Sequence, residues 1–548
     1  MTKTLAAYGG FGTSLTAFLL VIVAAFFLCL IVGAGEDTVS GFLTANRTLA
    51  SLRNGIAMCG DYISVTALLV PVGTIALAGQ DGMAFTASSI AALIILLMLA
   101  EPVRRTGAFT LGGVLTTRFT GRLVRTAAAV VTLLVCVPLT VVQLKVAGDA
   151  TAYLLGRNEP AAAQVCTALM GLLIVSFAAF GGMRGTSVIE TVKVALAFGT
   201  FTIAAVIVLS RFDFGLGTLL QQAATGSGRG EAYFEPGQLY GSTFTGGAER
   251  LSVCLTLALG TGVLPPLLMR ISASRTSRTA RRSARHALIG FAAFSLVLTI
   301  LGLGAAALVG AREITTTGEQ GYPALFLLFD TISGTGGGVF HTLFACAVFV
   351  TALGAVSGLT LSAAASLAHD LRPPGPRATD EGQVRATRWW LAAVGITSVT
   401  LAVLMHAWGI LFFASYAAAM AASTILPALV YTLFWKGLTR RGLLATLYAG
   451  AAGCLLLQFL SPTVSGTPTA LFPSHDFHWI PLENIAIIAI PIGFAAGWIT
   501  SRLDRQTSTR PAPRAPLHPG GAGLLNPPSR VRRLPAIRPS VLPRQRDL

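Results

Sequence analysis

Apolar stretches recur along the chain from Gly12 onward, separated by short connectors in which polar residues and arginines gather. Stretches of roughly 18 residues or more are long enough for a helix to cross a bilayer. The pattern predicts an all-α polytopic membrane protein with about 13 transmembrane helices. The predicted spans are residues 12–33, 54–78, 82–103, 123–153, 161–182, 186–210, 249–271, 287–310, 338–369, 388–407, 409–434, 440–461 and 481–502.

Composition agrees with this pattern and excludes other classes of protein. Hydrophobic residues make up 53% of the 548 residues and charged residues only 11%, and the mean hydropathy of +0.72 is unlike that of a soluble domain of this size. The seven cysteines all lie in apolar stretches without a CxxC pair, which predicts buried thiols and neither disulfides nor metal sites. The chain carries no nucleophile–base set typical of an enzyme, so a non-enzymatic function without a cofactor is expected.

The distribution of positive charge predicts the orientation in the membrane. The net charge of +17 arises largely from arginines in short connectors and at the carboxyl end, as in the connector 275–285 with its five arginines. The connectors 212–248, 311–337 and 462–480 are poor in lysine and arginine. Because positive connectors stay inside, the amino terminus is expected outside and the carboxyl terminus inside. Anionic lipid is therefore the expected partner of these charges, and nucleic acid is not.

The carboxyl-terminal segment differs from the rest of the chain. Residues 504–548 contain nine Arg and nine Pro. Such a composition cannot bury a core, so a disordered cytoplasmic tail in contact with anionic lipid is predicted. The preceding residues 1–503 are expected to form one transmembrane domain.

The stretch Asn54–Gly79 is apolar enough to cross the bilayer, yet it carries Asp61 a third of the way along. An acidic side chain in hydrocarbon costs roughly 2.5–3.5 kcal/mol unless it is paired, hydrated or bound to an ion. The small and polar residues around it, including Gly60 and Ser64, indicate a helix that is broken at membrane depth and lines a cavity. The alternative is a buried aspartate that hydrogen-bonds a neighbouring helix.

A second interruption is predicted in the span 249–271. Gly260, Thr261 and Gly262 precede two consecutive prolines there, and proline removes a backbone donor and clashes with the preceding turn. A pair of interrupted helices is typical of inverted-repeat transporters, whose substrate lies between the broken helices near the midplane. The freed N–H groups suit an anion. The alternative is two ordinary proline kinks.

Further polar residues inside predicted spans have local partners. Glu190 and Lys193 lie at i and i+3, close enough to pair on one helix face, and the alternative to a functional role is a structural ion pair at the inner interface. Lys145 and Asp149 are one helical turn apart and are expected to neutralise each other. Arg270 falls at the inner end of its span, so no buried arginine is expected to meet the substrate.

Six stretches carry a resemblance to a known family. They are NGIAMCGDYISVTALL, ALAGQDG, EPVRRTGAFTLGGVLTTRF, FGGMRGTSVIETVK, LPPLLMRI and GLTLSAAASLAHDL, which lie in this order between residues 40 and 500. Together they resemble the sodium:solute symporter family and, within it, the bacterial cation/acetate symporters. The resemblance implies a LeuT-type core of two inverted five-helix repeats, residues 54–210 and 249–434, that works by alternating access.

The resemblance also implies binding residues. Sodium is expected to be bound by the carbonyl groups of Cys59, Tyr62 and Ala347 and by the Thr351 hydroxyl, with Asp61 and Glu190 in the ion path. The residues expected around the substrate are Ser64, Gln143, Gly260, Thr261 and Gly262. The implied function is import of a short monocarboxylate such as acetate, propionate or pyruvate across the bacterial plasma membrane, with sodium or alternatively a proton as coupling ion. Proline or another neutral solute, or a sensor of the same fold, are the alternatives, and no obligatory protein partner is expected.

Overall fold

The computed structural model describes residues 16, 19–24, 27–28, 31, 38–155, 159–317, 323–333, 338–372, 378–406, 408–467 and 470–508. The predicted tail beyond Ser508 and most of the first predicted span lie outside these residues. Within them the regular structure is helical, apart from two isolated β-bridges. The α-helices are α1 Val39–Thr44, α2 Ser51–Tyr62, α3 Val65–Ala78, α4 Gln80–Arg105, α5 Leu111–Thr116, α6 Arg122–Leu154, α7 Pro160–Ser210, α8 Leu216–Gly226, α9 Phe244–Leu255, α10 Pro265–Ser272, α11 Ser277–Leu308, α12 Ala311–Thr317, α13 Pro323–Ser333, α14 Gly338–Ser366, α15 Asp380–Leu404, α16 Ile410–Met420, α17 Leu426–Phe434, α18 Arg440–Phe459 and α19 Ala486–Ser508.

Ten helices in the described part of the chain are long and apolar enough to cross a membrane, or eleven if the bent pair α2 and α3 is one span. The helical run α7 covers two of the predicted spans, residues 161–182 and 186–210, and a kink divides it where the first of them ends. Gly182 interrupts it with φ +50 and ψ −163, a conformation open to glycine because it has no Cβ. The count of thirteen and the orientation of the termini stay predictions.

The first interrupted span breaks between Tyr62 and Val65. α2 and α3 meet at an angle of 58°. The new helix begins with two side-chain caps, because the Ser64 hydroxyl accepts from the N–H of Ala67 at 3.1 Å and Gln143 Oε1 accepts from the N–H of Val65 at 2.9 Å. These oxygens satisfy donors that every helix amino terminus leaves unpaired. The break predicted around Asp61 is therefore present.

The second interrupted span changes its winding before it breaks. α9 continues into a π-helical segment, Thr256–Gly260, and a 3₁₀ turn, Thr261–Val263. Leu264 is extended, with φ −60 and ψ 141, and α10 starts with Pro265 in its first turn. Proline is tolerated there because its missing N–H would have had no helical partner. The glycines and prolines thus produce the second break that the sequence predicts.

Two helices organise the packing around these breaks. α14 packs against α6 and α7, and most of the apolar stretch in the span Thr342–Leu371, to which it contributes, is buried inside the protein. α11 packs against α2, α3 and α4. The broken spans are therefore held between long unbroken helices, and their irregular backbone is shielded from lipid as the bilayer requires.

Candidate functional site

A cavity of about 500 Å³ lies between the two breaks. It combines hydroxyl, amide and carboxylate groups with apolar side chains, and it receives residues from both interrupted spans. Small-solute sites commonly have this composition, with a few polar groups fixed in an apolar wall. The lining residues from the first break and its surroundings include Asp61, Tyr62, Ser64, Thr66 and Gln143, and those from the second span include Glu249, Thr256, Leu257, Thr261, Leu264 and Pro266.

The five expected substrate residues divide into two groups. Ser64, Gln143 and Thr261 line the cavity. Gly260 and Gly262 face the backbone of neighbouring helices instead, because a β-carbon on them would collide with the carbonyl oxygens of Ala418 and Ala92, respectively. These glycines therefore permit close helix packing at the second break, and we expect them to shape the cavity without contacting its contents.

Two hydroxyl groups join the breaks across the cavity. The Tyr62 hydroxyl is hydrogen-bonded to the Thr261 hydroxyl and contacts the carbonyl oxygen of Ser89 at 2.8 Å. Thr261 in turn contacts the carbonyl oxygen of Leu257 at 2.6 Å, within its own helix. The resemblance implies a role only for the carbonyl group of Tyr62, as a ligand of sodium. Its side chain bridges α2, α4 and the second break.

A buried ion pair also connects the two broken spans. Arg270 Nε lies 2.6 Å from Asp61 Oδ2, and Arg270 Nη1 donates to the Ser187 hydroxyl at 2.5 Å. The side chains of Arg270 and Asp61 are only 2% and 3% exposed. Arg270 lies near the end of its span, Phe244–Ser272, as the sequence predicts, but it is buried there and paired with Asp61. Because α10 begins anew at Pro265, Arg270 lies only in its second turn, level with Asp61.

A second buried ion pair lies next to the first break. Lys193 Nζ and Glu190 Oε2 are 2.5 Å apart, and both side chains are fully buried. A β-carbon at Gly60 of α2 or at Gly354 of α14 would collide with the Glu190 carboxylate, so this group lies between those helices. The predicted pairing is confirmed, and both side chains lie in the helix-packed core. The four buried charges of these two ion pairs thus each have a counter-charge, as low-dielectric surroundings require.

The expected cation ligands are oxygen atoms, which suit a hard cation. The Thr351 hydroxyl is fully buried and has no hydrogen-bond partner among the described residues. The carbonyl oxygens of Cys59 and Tyr62 accept from the N–H groups of Ile63 and Ser64 at 2.9 Å and 3.0 Å. A carbonyl oxygen has two lone pairs, so each keeps one. Ala347 is buried one turn before Thr351 on α14. The donor set fits sodium, and its assembly around the ion stays a prediction.

Comparison with known proteins decides the family. The profile of the Sodium:solute symporter family matches residues 42–450, which is most of the chain. The chain belongs to this family. It is a multi-pass protein of the plasma membrane, and the predicted resemblance is confirmed.

Two relatives cover nearly the whole symporter. The Monocarboxylic acid transporter of Corynebacterium glutamicum is 35% identical over 501 residues, 89% of this chain and 90% of the relative. The uncharacterized symporter YwcA of Bacillus subtilis is 34% identical over 498 residues, 90% of this chain and 94% of the relative. Transport of a solute across a membrane is therefore the activity of this family.

Two solved structures show the fold. A Na⁺-coupled sialic acid symporter in a substrate-bound outward-open state superposes with a TM-score of 0.70 at 13% identity, covering 89% of this chain and 98% of that one. Mhp1, a transporter of the nucleobase-cation-symport-1 family, gives 0.53 at 11% identity, covering 86% and 95%. At these low sequence identities the structural similarity shows that the symporter has a LeuT-like helical fold. Its substrate needs separate evidence.

Lys145 and Asp149 form no direct ion pair among the described residues, and each contacts the same distant connector. Lys145 Nζ donates to the carbonyl oxygens of His406, at 2.8 Å, and of Trp408, whereas Asp149 lies 3.1 Å from His406 Nε2. The carboxyl end of α15 leaves carbonyl groups unpaired, and these attract the ammonium group. Both residues of α6 therefore hold the connector between α15 and α16.

Proposed function

We propose that the symporter imports a short-chain monocarboxylate, such as acetate, propionate or pyruvate, together with sodium. The observation that carries this proposal is the match along nearly the whole chain to a relative named Monocarboxylic acid transporter. The cavity between the two breaks supports it, since its polar groups come from both interrupted spans. Transporter substrates are commonly held in that position.

The substrate carboxylate would meet hydroxyl, amide and backbone groups. Ser64, Gln143 and Thr261 reach the cavity and serve as the polar contacts in this proposal. The guanidinium group of Arg270 already bonds Asp61 and Ser187, so Arg270 is not one of the proposed substrate contacts.

Sodium would bind beside the first break, at the carbonyl groups of Cys59, Tyr62 and Ala347 and the hydroxyl of Thr351. The unpartnered Thr351 hydroxyl supports this position, because a buried polar group without a partner is unfavourable unless a ligand satisfies it. Asp61 and Glu190 are the proposed residues of the ion path. One sodium carried with one monocarboxylate anion moves no net charge, so the sodium gradient alone would drive uptake.

Thr351→Ala is expected to raise the half-saturating sodium concentration of uptake by about tenfold or more, because a bond to a charged group contributes about 1.5–3 kcal/mol. The control is Thr360→Ala on the same helix, whose equally buried hydroxyl donates to the carbonyl oxygen of Val356 at 2.7 Å. Sodium titrations of substrate uptake compare the two variants. An unchanged sodium dependence in Thr351→Ala would show that this hydroxyl binds no sodium.

Uptake into proteoliposomes tests the whole proposal. Labelled acetate should accumulate when an inward sodium gradient is imposed, and unlabelled propionate and pyruvate should compete with it. A pH gradient without sodium serves as the second arm, because a proton is the alternative coupling ion. Proline and glucose serve as neutral competitors.

Each outcome decides one part of the proposal. Neutral acetic acid diffuses across lipid, so accumulation driven by the pH gradient alone counts only where it exceeds that of protein-free liposomes. Such an excess would replace sodium by the proton and leave the substrate class in place. Inhibition by proline at low concentration, with none by propionate or pyruvate, would replace the substrate class. Because the wild-type protein is used throughout, neither result depends on whether a variant folds.

A further inference from the structure

Three arginines form a closed ring with the backbone of three connectors. Arg47 Nη2 donates to the carbonyl oxygen of Gly107 at 2.6 Å. Arg104 Nε donates to the carbonyl oxygen of Ser274 at 2.7 Å, and its Nη2 donates to that of Arg275 at 3.1 Å. Arg275 Nε closes the ring at the carbonyl oxygen of Thr48, 3.1 Å away. Arg47, Arg104 and Arg275 are called the arginine ring below.

The ring lies where three membrane spans end. Arg104 is in the last turn of α4, Arg47 lies in the connector that leads into α2, and Arg275 lies between α10 and α11. Asn54 in α2 adds a further link, because its Nδ2 donates to the Ser274 hydroxyl at 3.0 Å. The ring therefore joins the ends of both broken spans to the end of α4, at the depth of lipid headgroups.

No carboxylate neutralises the ring in the part of the chain that the structure describes. The nearest acid along α4, Glu101, pairs instead with Arg105 at 2.5 Å and with Arg281 at 3.9 Å. Arg47 and Arg104 lie close enough to interact as like charges. Three cations held together by backbone carbonyl groups repel one another unless an anion binds among them.

The guanidinium groups keep donors available for such an anion. Nε and Nη1 of Arg47 and both Nη atoms of Arg275 make no hydrogen bond within the described residues. Both side chains are exposed, while their bonds to carbonyl groups hold them in place. Planar guanidinium forks match the oxygen atoms of a phosphate group, and ordered side chains lose little entropy when they bind.

We propose that the arginine ring binds the phosphate group of an anionic phospholipid headgroup. The lipid is favoured over a dissolved anion because the ring lies at the membrane ends of three spans. Leu52, in the first turn of α2, is 59% exposed and offers apolar surface to an acyl chain. Basic pockets between membrane helices are a recurring form of lipid-headgroup site. Bound lipid would hold together the ends of α2, α4 and α10, and so stabilise the three connectors that the arginine ring joins.

Thermal unfolding of the purified full-length protein in detergent tests this proposal. Dioleoyl-phosphatidylglycerol at saturation should raise the unfolding temperature by about 5 °C more than dioleoyl-phosphatidylcholine does. Arg47→Gln and Arg275→Gln should lose this difference. Arg278→Gln is the charge-matched control, because Arg278 lies three residues further along the chain, in the first turn of α11 and outside the ring, and it should keep the difference. Native mass spectrometry should show retained phosphatidylglycerol in the wild type and in Arg278→Gln only.

Equal stabilisation by the two lipids, or an unchanged phosphatidylglycerol effect in both ring variants, would overturn the proposal. Stabilisation by inorganic phosphate alone, with none added by phosphatidylglycerol, would assign the site to a dissolved anion and also overturn it. Arg47→Lys keeps the charge and removes the fork, so a partial loss there separates fork recognition from charge alone. None of these measurements uses transport, and their result is independent of the substrate and coupling ion proposed above.

Discussion

Asp61→Asn and Arg270→Gln, made singly, are each expected to abolish uptake and to lower the free energy of unfolding by about 3–5 kcal/mol. Each change leaves the other charge buried without its counter-charge, at a side-chain exposure of 3% or less. The resemblance implies only that Asp61 lies in the ion path, so loss of cation coupling is the effect that the sequence alone would predict for Asp61→Asn. Because Arg270 is the partner, we now expect loss of stability as well as loss of coupling.

The double variant Asp61→Asn with Arg270→Gln separates these two effects. Removing both charges should restore much of the stability, because no unpaired ion remains buried. Uptake should stay absent if Asp61 has a coupling role. Arg105→Gln is the control for charge removal, since its ion pair with Glu101 leaves the arginine 70% exposed, and exposed pairs contribute about 1 kcal/mol or less. Thermal unfolding and uptake are measured on the same preparations. Wild-type stability in both single variants would show that the pair does not hold the broken spans together.

The interruptions of the two spans could be predicted because their causes are local. Glycines and prolines act on the backbone within a turn or two, so the second break lies where the sequence places them. The first break is marked by a polar residue at membrane depth, and it lies at Ile63 and Ser64, two residues after Asp61. Pro71, in contrast, lies inside the continuous helix α3. One of the two oxygens that cap this helix comes from Gln143, and no local pattern could reveal that contact.

Charged pairs show the same division between local and distant causes. Glu190 and Lys193 share one helix face at i and i+3, so their pairing follows from helix geometry. Asp61 and Arg270 are 209 residues apart, and only the meeting of α2 with α10 brings them together. Lys145 and Asp149 had a local partner available and still bind the distant connector at His406. Spacing therefore predicts which groups can pair, and packing decides which of them do.

Helix packing also explains which expected substrate residues reach the cavity. Hydroxyl and amide side chains extend beyond the backbone, and Ser64, Gln143 and Thr261 line the cavity accordingly. Gly260 and Gly262 are among the expected substrate residues because they lie at the second break. Their lack of a side chain serves a different purpose, the close approach of another helix. A sequence shows that glycine stands at a break, but it does not show whether the space above it holds substrate or backbone.

Gly262→Ala is therefore expected to abolish uptake while the protein still inserts into the membrane. Its β-carbon would collide with the carbonyl oxygen of Ala92 on α4, so the second break and α4 would have to separate. The backbone cannot yield as a flexible side chain can, and overpacking of this kind typically costs about 1–3 kcal/mol. The displacement would also move Thr261, whose hydroxyl bonds Tyr62 across the cavity.

Gly199→Ala is the matched control, because this glycine lies in the membrane helix α7 and its β-carbon would meet no atom within 4 Å. That change should leave uptake at the wild-type level and slightly favour the helix, since alanine exceeds glycine in helix propensity by about 1 kcal/mol. Membrane abundance and acetate uptake of the two variants are compared. Normal uptake by Gly262→Ala would mean that α4 and the second break already separate during transport. The contact between Gly262 and Ala92 would then form in only one of the two states of the alternating-access cycle.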